Sequence, residues 1–250
     1  MCATCGCGAE EVRITSLGEE GTAHHHDHHD HHHETRTLEL NRAVLARNDD
    51  LARDNRAWLA ARGALAVNLM SSPGAGKTSL LERTIRELTP RPVQVVEGDQ
   101  ETVIDAERIR SAGAEAVQVN TGAGCHLDAT MVRRALDRLQ PVQGGLVFIE
   151  NVGNLVCPAL FDLGERARVV VISVTEGDDK PLKYPHMFAA ADLVVVNKTD
   201  LLPYVDFDVD RCTADARRLN PDVAVIPLSV RTGENLEAWH GWLASLSGGA

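Results

Sequence analysis

Soft and borderline metal donors crowd the start of this 250-residue chain, and carboxylates and hydroxyls gather around a glycine-bearing loop further on. Cys2, Cys5 and Cys7 lie in MCATCGCG, followed by His24, His25, His26, His28, His29, His31, His32 and His33 in HHHDHHDHHH. Three thiolates in a Gly-containing segment can wrap one ion. Sulfur donors suit Zn²⁺, Cu⁺ or thiolate-bound Ni²⁺, and the arrangement does not choose among them. Imidazoles interspersed with Asp27 and Asp30 favour Ni²⁺, Zn²⁺ and Cu²⁺. So many donors suit storage better than one fixed geometry. The aspartate interruptions and the internal position set this run apart from an expression tag.

A third donor group stands apart: Cys125-His126 in TGAGCHLD and Cys157 in NLVCP, seven residues beyond Glu150. Singly, each cysteine reads as a small buried hydrophobe. Together, and with a metal-binding tail upstream, they read as three ligands meeting beside a nucleotide. Cys212, alone on a helical stretch, is expected to be core packing.

Ser71-Ser72-Pro73-Gly74-Ala75-Gly76-Lys77-Thr78 matches a phosphate-binding loop, with Ser71 where the first glycine usually stands. Gly74 and Gly76 let backbone amides turn around phosphate oxygens, and a helix starting near Lys77 adds its positive end. Lys77 is expected to reach the β- and γ-phosphates and Thr78 to hold Mg²⁺. Ser72, Ala75 and Ser79 complete the loop. Glu150, in ENVG after an apolar strand, is placed to sense Mg²⁺ and the γ-phosphate, with Gly153 supplying an amide. Asp99, in EGD after another strand, is a Mg²⁺ or water-orienting group, or else an ordinary turn aspartate. Lys77, Asp99 and Glu150 are thus the catalytic candidates.

Asn197-Lys198-Thr199-Asp200 follows the strand DLVVV. Asp200 can accept from N1–H and the 2-amino group of guanine, whereas adenine offers neither donor there, so an unpaired carboxylate would penalise ATP. Read alone, Thr199 and Asp200 could simply cap a helix. Ser229-Val230, after VAVIP, is placed to present a backbone amide to guanine O6.

These groups need a scaffold. Seven β-rich runs alternate with helical stretches: 65–70, 93–96, 116–119, 146–149, 169–174, 193–196 and 223–226. The pattern predicts an α/β fold, a mostly parallel sheet flanked by helices, with ligands outside the carboxyl ends of its strands. Residues 1–34 lack hydrophobic periodicity and read as a flexible tail. From Thr35 to Arg62, Leu38/Leu45/Ala52/Leu59 and Val44/Leu51/Trp58 form one apolar stripe, predicting a long amphipathic helix that ends at Gly63 and packs on the core, with a coiled-coil partner as the alternative. Residues 63–250 form the nucleotide domain.

Composition bounds the partners. A net charge of −11 gives no sequence-independent attraction to nucleic acid or an anionic membrane. No apolar run of about 18 residues and no signal-peptide pattern occurs, so a cytoplasmic location is expected. Six cysteines in a reducing compartment fit metal binding or burial better than disulfides.

Taken together, CATCGCG, the histidine tract, SSPGAGKT, EGDQET, NTGAGCHLD, ENVGNLVCP, NKTDLLP and SVRTGE resemble the hydrogenase nickel-incorporation GTPase family HypB, over essentially the whole chain. The resemblance implies a Mg²⁺-dependent GTPase of the SIMIBI class of P-loop proteins. It would cycle between GTP and GDP, form a homodimer promoted by nucleotide and metal, and help deliver Ni²⁺ to the large subunit of [NiFe]-hydrogenase with a HypA-type accessory protein. It also implies Cys125, His126 and Cys157 as the domain's Ni²⁺ or Zn²⁺ ligands, and Cys2, Cys5 and Cys7 as high-affinity nickel ligands. Hydrolysis is expected to be slow, since the sequence offers no obvious arginine finger or catalytic glutamine. A urease-loading GTPase is disfavoured because that family is expected to carry Cys-Pro-His, where this chain has Cys125-His126 and Cys157-Pro158. A nickel buffer, with the nucleotide domain merely tethering the tail, is the alternative of a different class.

Overall fold

The seven apolar runs become seven strands: β1 (Leu65–Ser71), β2 (Val93–Asp99), β3 (Glu115–Asn120), β4 (Leu146–Glu150), β5 (Ala167–Ser173), β6 (Leu193–Asn197) and β7 (Ala224–Pro227). They form one parallel sheet in the order β3-β2-β4-β1-β5-β6-β7. The helices are α1 (His31–Ala60), α2 (Lys77–Glu87), α3 (Ile104–Ala112), α4 (Ala129–Leu139), α5 (Lys180–Lys183), α6 (Pro185–Ala189), α7 (Val209–Leu219) and α8 (Leu236–Ser245). This computed structural model describes residues 31–88, 91–99, 104–122 and 124–247, with side chains from Arg42 onward. The chain forms two units, Met1–Arg47 and Asn48–Ala250, the second containing the whole sheet. Among the described residues, no helix is long and apolar enough to cross a membrane.

Alternation along the buried strands divides the core between the two faces of the sheet. Val67, Leu69, Val169, Val171 and Val195 pack with Leu80, Leu81 and Trp239, whereas Met70, Val170, Ile172 and Val194 pack with Met187, Phe188 and Cys212. Cys212 is core, as expected, and burial pushes its thiol up to about 12. Trp239, fully buried, stacks between Phe148 and Trp242 and donates through Nε1 to Thr84 Oγ1 on α2 at 2.9 Å.

The first helix differs from expectation at both ends. It begins at His31 rather than Thr35, no glycine or proline intervening to stop it. It ends at Ala60, where Ala64 N–H donates to Leu59 O at 3.0 Å and Gly63 N–H to Ala60 O at 2.9 Å. Gly63, at φ +58°, supplies the left-handed residue this terminus requires. In the second unit the buried stripe is Asn48, Ala52, Asn55 and Leu59, flanked by half-buried Leu51 and Trp58. The two asparagines bind backbone: Asn48 accepts from Ala129 N–H at 2.9 Å and donates to Asp162 O at 2.8 Å, and Asn55 donates to Ala129 O and Leu163 O. They thereby fix the start of α4. Trp58 lies under the Arg62 guanidinium at 3.5 Å and the Arg133 guanidinium at 4.6 Å from its ring centre.

Candidate nucleotide and metal site

β1 lies where the chain reverses its direction of travel across the sheet, with β4 on one side and β5 on the other. That switch point opens a crevice beyond the strand ends, which the phosphate loop occupies. Gly74 (φ +75°) and Gly76 (φ +105°) take conformations that side chains disfavour, and a Cβ on Gly76 would lie 2.4 Å from Asn197 Nδ2. Lys77 is buried, which lowers its pKa, with Glu150 the foremost opposing charge; its Nζ donates to Ser71 Oγ at 2.8 Å. The serine replacing the first glycine is therefore the resting acceptor of the lysine. Ser72 donates to Glu176, which also accepts from Ser173 N–H at 3.0 Å and pairs with Lys180 at 3.0 Å. Glu176 braces the loop and was not foreseen from the sequence, because it acts only through a turn after β5.

A cavity of about 440 Å³ is lined by Gly74, Gly76, Lys77, Thr78, Ser79, Asp99, Glu150 and Gly153, as well as Pro73, Glu97, Gly98, Asp105, Arg108, Asn151 and Val152. Thr78 donates to Glu150 Oε1 at 2.7 Å, and Gly153 lies close enough to Pro73 that a Cβ would sit 3.1 Å from its ring. Glu97 is the residue the sequence reading passed over. The register places it directly beside Glu150 on the neighbouring strand. Both are almost fully buried, and each keeps one carboxylate oxygen, Oε2, with no hydrogen-bond partner. Burial first, then the Glu150 charge, pushes Glu97 up to about 8, and burial likewise raises Glu150. Two orphaned buried carboxylate oxygens beside a threonine hydroxyl fit a hard divalent cation such as Mg²⁺. Asp99 lines the same cavity at the end of β2, opposite Asn120. Arg108 also lines it, a cation that sequence reasoning did not single out; it pairs with Glu82 at 2.8 Å and Asp105 at 3.0 Å, and donates to Ser79 at 3.2 Å.

A second cavity of about 270 Å³ shares Gly76 and Ser79 and adds Asn197, Lys198, Asp200, Leu201, Val230 and Arg231. Lys198 adopts φ +66°, unusual for a residue with a side chain, and its Nζ donates to Gly74 O at 2.7 Å. Asn197 Nδ2 donates to Ala75 O at 2.9 Å, so this motif is bonded directly to the phosphate loop. Asp200 accepts from Ser229 Oγ at 2.6 Å, which holds its carboxyl below the usual range, with Arg231 at 3.4 Å. Thr199 does not cap: its hydroxyl donates to Glu234 at 2.8 Å. The Val230 amide donates to Asn197 Oδ1 at 3.2 Å and the Ser229 amide to Glu234 O at 3.1 Å. Val230 lines the cavity, while Ser229 acts behind Asp200.

The third donor group also converges. The Cys125 thiol lies 2.9 Å from Cys157 Sγ and 3.6 Å from His126 Nδ1, and ligand atoms of all three fall within 4.8 Å of one another. Among the described residues this is the one cluster of three or more such donors able to surround an ion. Cys157 is buried at the start of a short 3₁₀ helix, Cys157–Leu160, while Cys125 and His126 are half-buried. His126 stacks on Phe161 with ring centres 4.0 Å apart, and burial lowers its pKa, favouring the neutral imidazole that binds metal. Cys2, Cys5, Cys7, His24, His25, His26, His28 and His29 lie outside the described residues. His31, His32 and His33 begin α1, with their side chains not described.

Residues 65–227 match the family described as CobW/HypB/UreG, nucleotide-binding domain. The hydrogenase maturation factor HypB of Azotobacter vinelandii is 59% identical over 84% of this chain and 70% of its own length. That of Escherichia coli K12 is 48% identical over 97% of this chain and 98% of its own. Two solved structures share the fold. HypB from Archaeoglobus fulgidus has a TM-score of 0.75 at 43% identity, covering 81% of this chain and 99% of that one. HypB from Helicobacter pylori, in complex with nickel, has a TM-score of 0.77 at 38% identity, covering 80% and 95%. The SSPGAGKT loop, the NKTD segment and the Cys/His triad lie at the carboxyl ends of the parallel strands, and identity of this extent places the chain in the HypB family of hydrogenase maturation factors.

Proposed function

We propose that this protein is a Mg²⁺-dependent GTPase in the cytoplasm that carries Ni²⁺ and hands it on during assembly of the large subunit of [NiFe]-hydrogenase, with a HypA-type accessory protein and a second copy of itself as partners. The observation that carries this reading is the placement of Cys125, His126 and Cys157 on the same sheet edge as Lys77, Glu150 and Asp200. Bound Mg²⁺ would supply charge neutralisation at the phosphates. Thr78, Glu150 and Glu97 would hold it through oxygen atoms, Asp99 would orient water, and Lys77 would leave Ser71 for phosphate. Asp200 would select guanine, with Asn197 and Lys198 keeping the base site bonded to the phosphate loop.

Nickel is the cargo. Three donors are one short of a closed four-coordinate site, so water or a second chain completes it, and a two-fold interface is the economical arrangement. Cys157 is tethered to Glu150, so the nucleotide state would alter the geometry of the triad. Zn²⁺ suits the same donors. The tail, through Cys2, Cys5, Cys7 and the histidine run, would store or capture nickel. The test is Ni²⁺ titration of the full chain and of a chain lacking residues 1–34, each with GDP and with a non-hydrolysable GTP analogue. Delivery predicts nucleotide-dependent metal affinity in both; if only the full chain bound metal, and equally with either nucleotide, the protein would be a buffer. A role in urease assembly has one supporting observation. The Helicobacter hepaticus relative, 40% identical over 80% of this chain and 84% of its own, is described as a hydrogenase/urease maturation factor.

A further inference from the structure

The tether from Glu150 to Cys157 is not the shortest path between the metal donors and the nucleotide. Leu127 directly follows Cys125-His126 and is fully buried. Its side chain lies over Gly98, the residue between Glu97 and Asp99: a Cβ built on Gly98 would come within 2.8 Å of Leu127 Cδ1 and 2.9 Å of Cγ. Its backbone amide donates to Asn151 Oδ1 at 3.2 Å, and Asn151 follows Glu150. Asn151 is itself fixed, donating from its backbone to Leu69 O at 3.0 Å. One residue thus touches both carboxylate-bearing segments, through packing on one and a hydrogen bond on the other.

From this geometry we infer that Leu127 is the positioning residue through which the Cys125-His126 loop and the Glu97-Gly98-Asp99 segment sense each other. Packed interiors transmit displacement because they are dense and have few voids. The absence of a side chain at Gly98 lets Leu127 press directly on backbone, so a shift of the metal loop reaches Glu97 and Asp99 without an intervening rotamer to absorb it. Gly98 does not take the positive φ that would itself demand glycine, so close approach is what the position requires. The inference rests on the coupled-switch reading above and specifies its route.

The experiment measures affinities of the full chain for fluorescent GDP and for a non-hydrolysable GTP analogue, with and without Ni²⁺. The full-length Cys157→Ala protein defines the tail's contribution. Linkage requires that Ni²⁺ change the ratio of these affinities by the same factor by which nucleotide changes nickel affinity, a factor typically about 5- to 150-fold in coupled proteins. Leu127→Ala and Gly98→Ala should each bring this factor to within about twofold of unity, while the nickel–thiolate absorption that Cys157→Ala removes persists. Leu127→Met, which conserves volume, should retain coupling. The double variant Gly98→Ala/Leu127→Ala, in which the new methyl enters space freed by the leucine, should regain part of it. Such rescue distinguishes a positioning contact from general loosening. If Leu127→Ala does not fold, Gly98→Ala and Leu127→Met carry the comparison. A coupled wild type with unchanged coupling in Gly98→Ala or Leu127→Ala overturns the role of Leu127 alone. A wild type with a factor of one overturns the coupled-switch reading, and this inference with it.

Discussion

Asp200 and Glu97 are carboxylates of two adjoining cavities, and their surroundings push them in opposite directions. The Ser229 hydroxyl stabilises charge on Asp200, as the proposed acceptance of guanine donors requires. Asp200→Asn should weaken GTP binding by several kcal/mol, on a scale of roughly 1 to 3 per buried group left unpaired, and shift preference toward xanthine nucleotides, whose 2-oxo group can accept from the amide. Comparable calorimetric affinities of the unaltered protein for ATP and GTP would sink this account. Glu97 instead resists charge, its pKa raised from 4.5 to about 8. Because the folded state holds this proton more tightly than the unfolded chain, its contribution to stability is fully present below about 4.5 and is lost as pH rises through about 8. Glu97→Gln, always neutral, should therefore leave the chelator-treated protein nearly unchanged near pH 4 and stabilise it by roughly 2 to 4 kcal/mol near pH 8. Thermal melts at the two pH values decide the matter, and an equal effect at both would refute it. The same variant should weaken the Mg²⁺ dependence of nucleotide binding, since an amide offers the cation less charge.

At the scale of elements, the reach of the sequence depended on whether a signal was local. The seven strands were legible because buried parallel strands are continuous apolar runs, and the phosphate loop because its glycines, lysine and threonine are contiguous. Asn48 and Asn55 were not: within an amphipathic pattern an asparagine reads as solvent-facing, and only the fold supplies Ala129, Leu163 and Asp162 as partners. Glu97 required the β2–β4 register, Glu176 a turn closing on Ser72, and Leu127 its approach to Gly98. Each is a pairing between distant segments, on which spacing is silent. The α1 asparagines support a prediction of their own. Asn55→Ala should destabilise the protein by roughly 1 to 3 kcal/mol, because it removes two buried hydrogen bonds to carbonyl oxygens, measured as a lower urea midpoint at unchanged slope. Since Ala129 begins the helix after the metal loop, nickel affinity in the triad should fall too, whereas replacing exposed Arg47 should alter neither.

For the whole molecule, the division of labour between tail and nucleotide domain is a question of stoichiometry. Removing residues 1–34 should reduce bound divalent ions from several per chain to the few the triad supports, counted by native mass spectrometry. Full retention would end the storage role. Binding by the tail should weaken below about pH 6.5, where imidazoles protonate. In the shortened protein, sedimentation should show dimers favoured by GTP with Mg²⁺ and by nickel. In that shortened protein Cys157→Ala should abolish nickel binding while leaving GTP affinity within about twofold, because the triad shares no residue with either cavity. A monomer in every state would leave the triad's fourth donor to water.

The placement of the three tryptophans has an optical consequence. Trp239 is sealed in the core and bonded to Thr84, on the helix whose first residue is the phosphate-loop lysine. Trp58 lies beneath two guanidinium groups, one of them from the helix that follows the metal loop. Trp242 stacks on Trp239 and reports the same neighbourhood. The protein therefore has two intrinsic fluorophore stations, one mechanically joined to the nucleotide end and one to the metal end. Nucleotide should perturb the emission of buried Trp239 and its half-buried neighbour Trp242, whereas metal should perturb the emission of Trp58. A single tryptophan-to-phenylalanine substitution at Trp58 would separate the two signals, so that nucleotide binding and metal binding could each be followed in real time without a label.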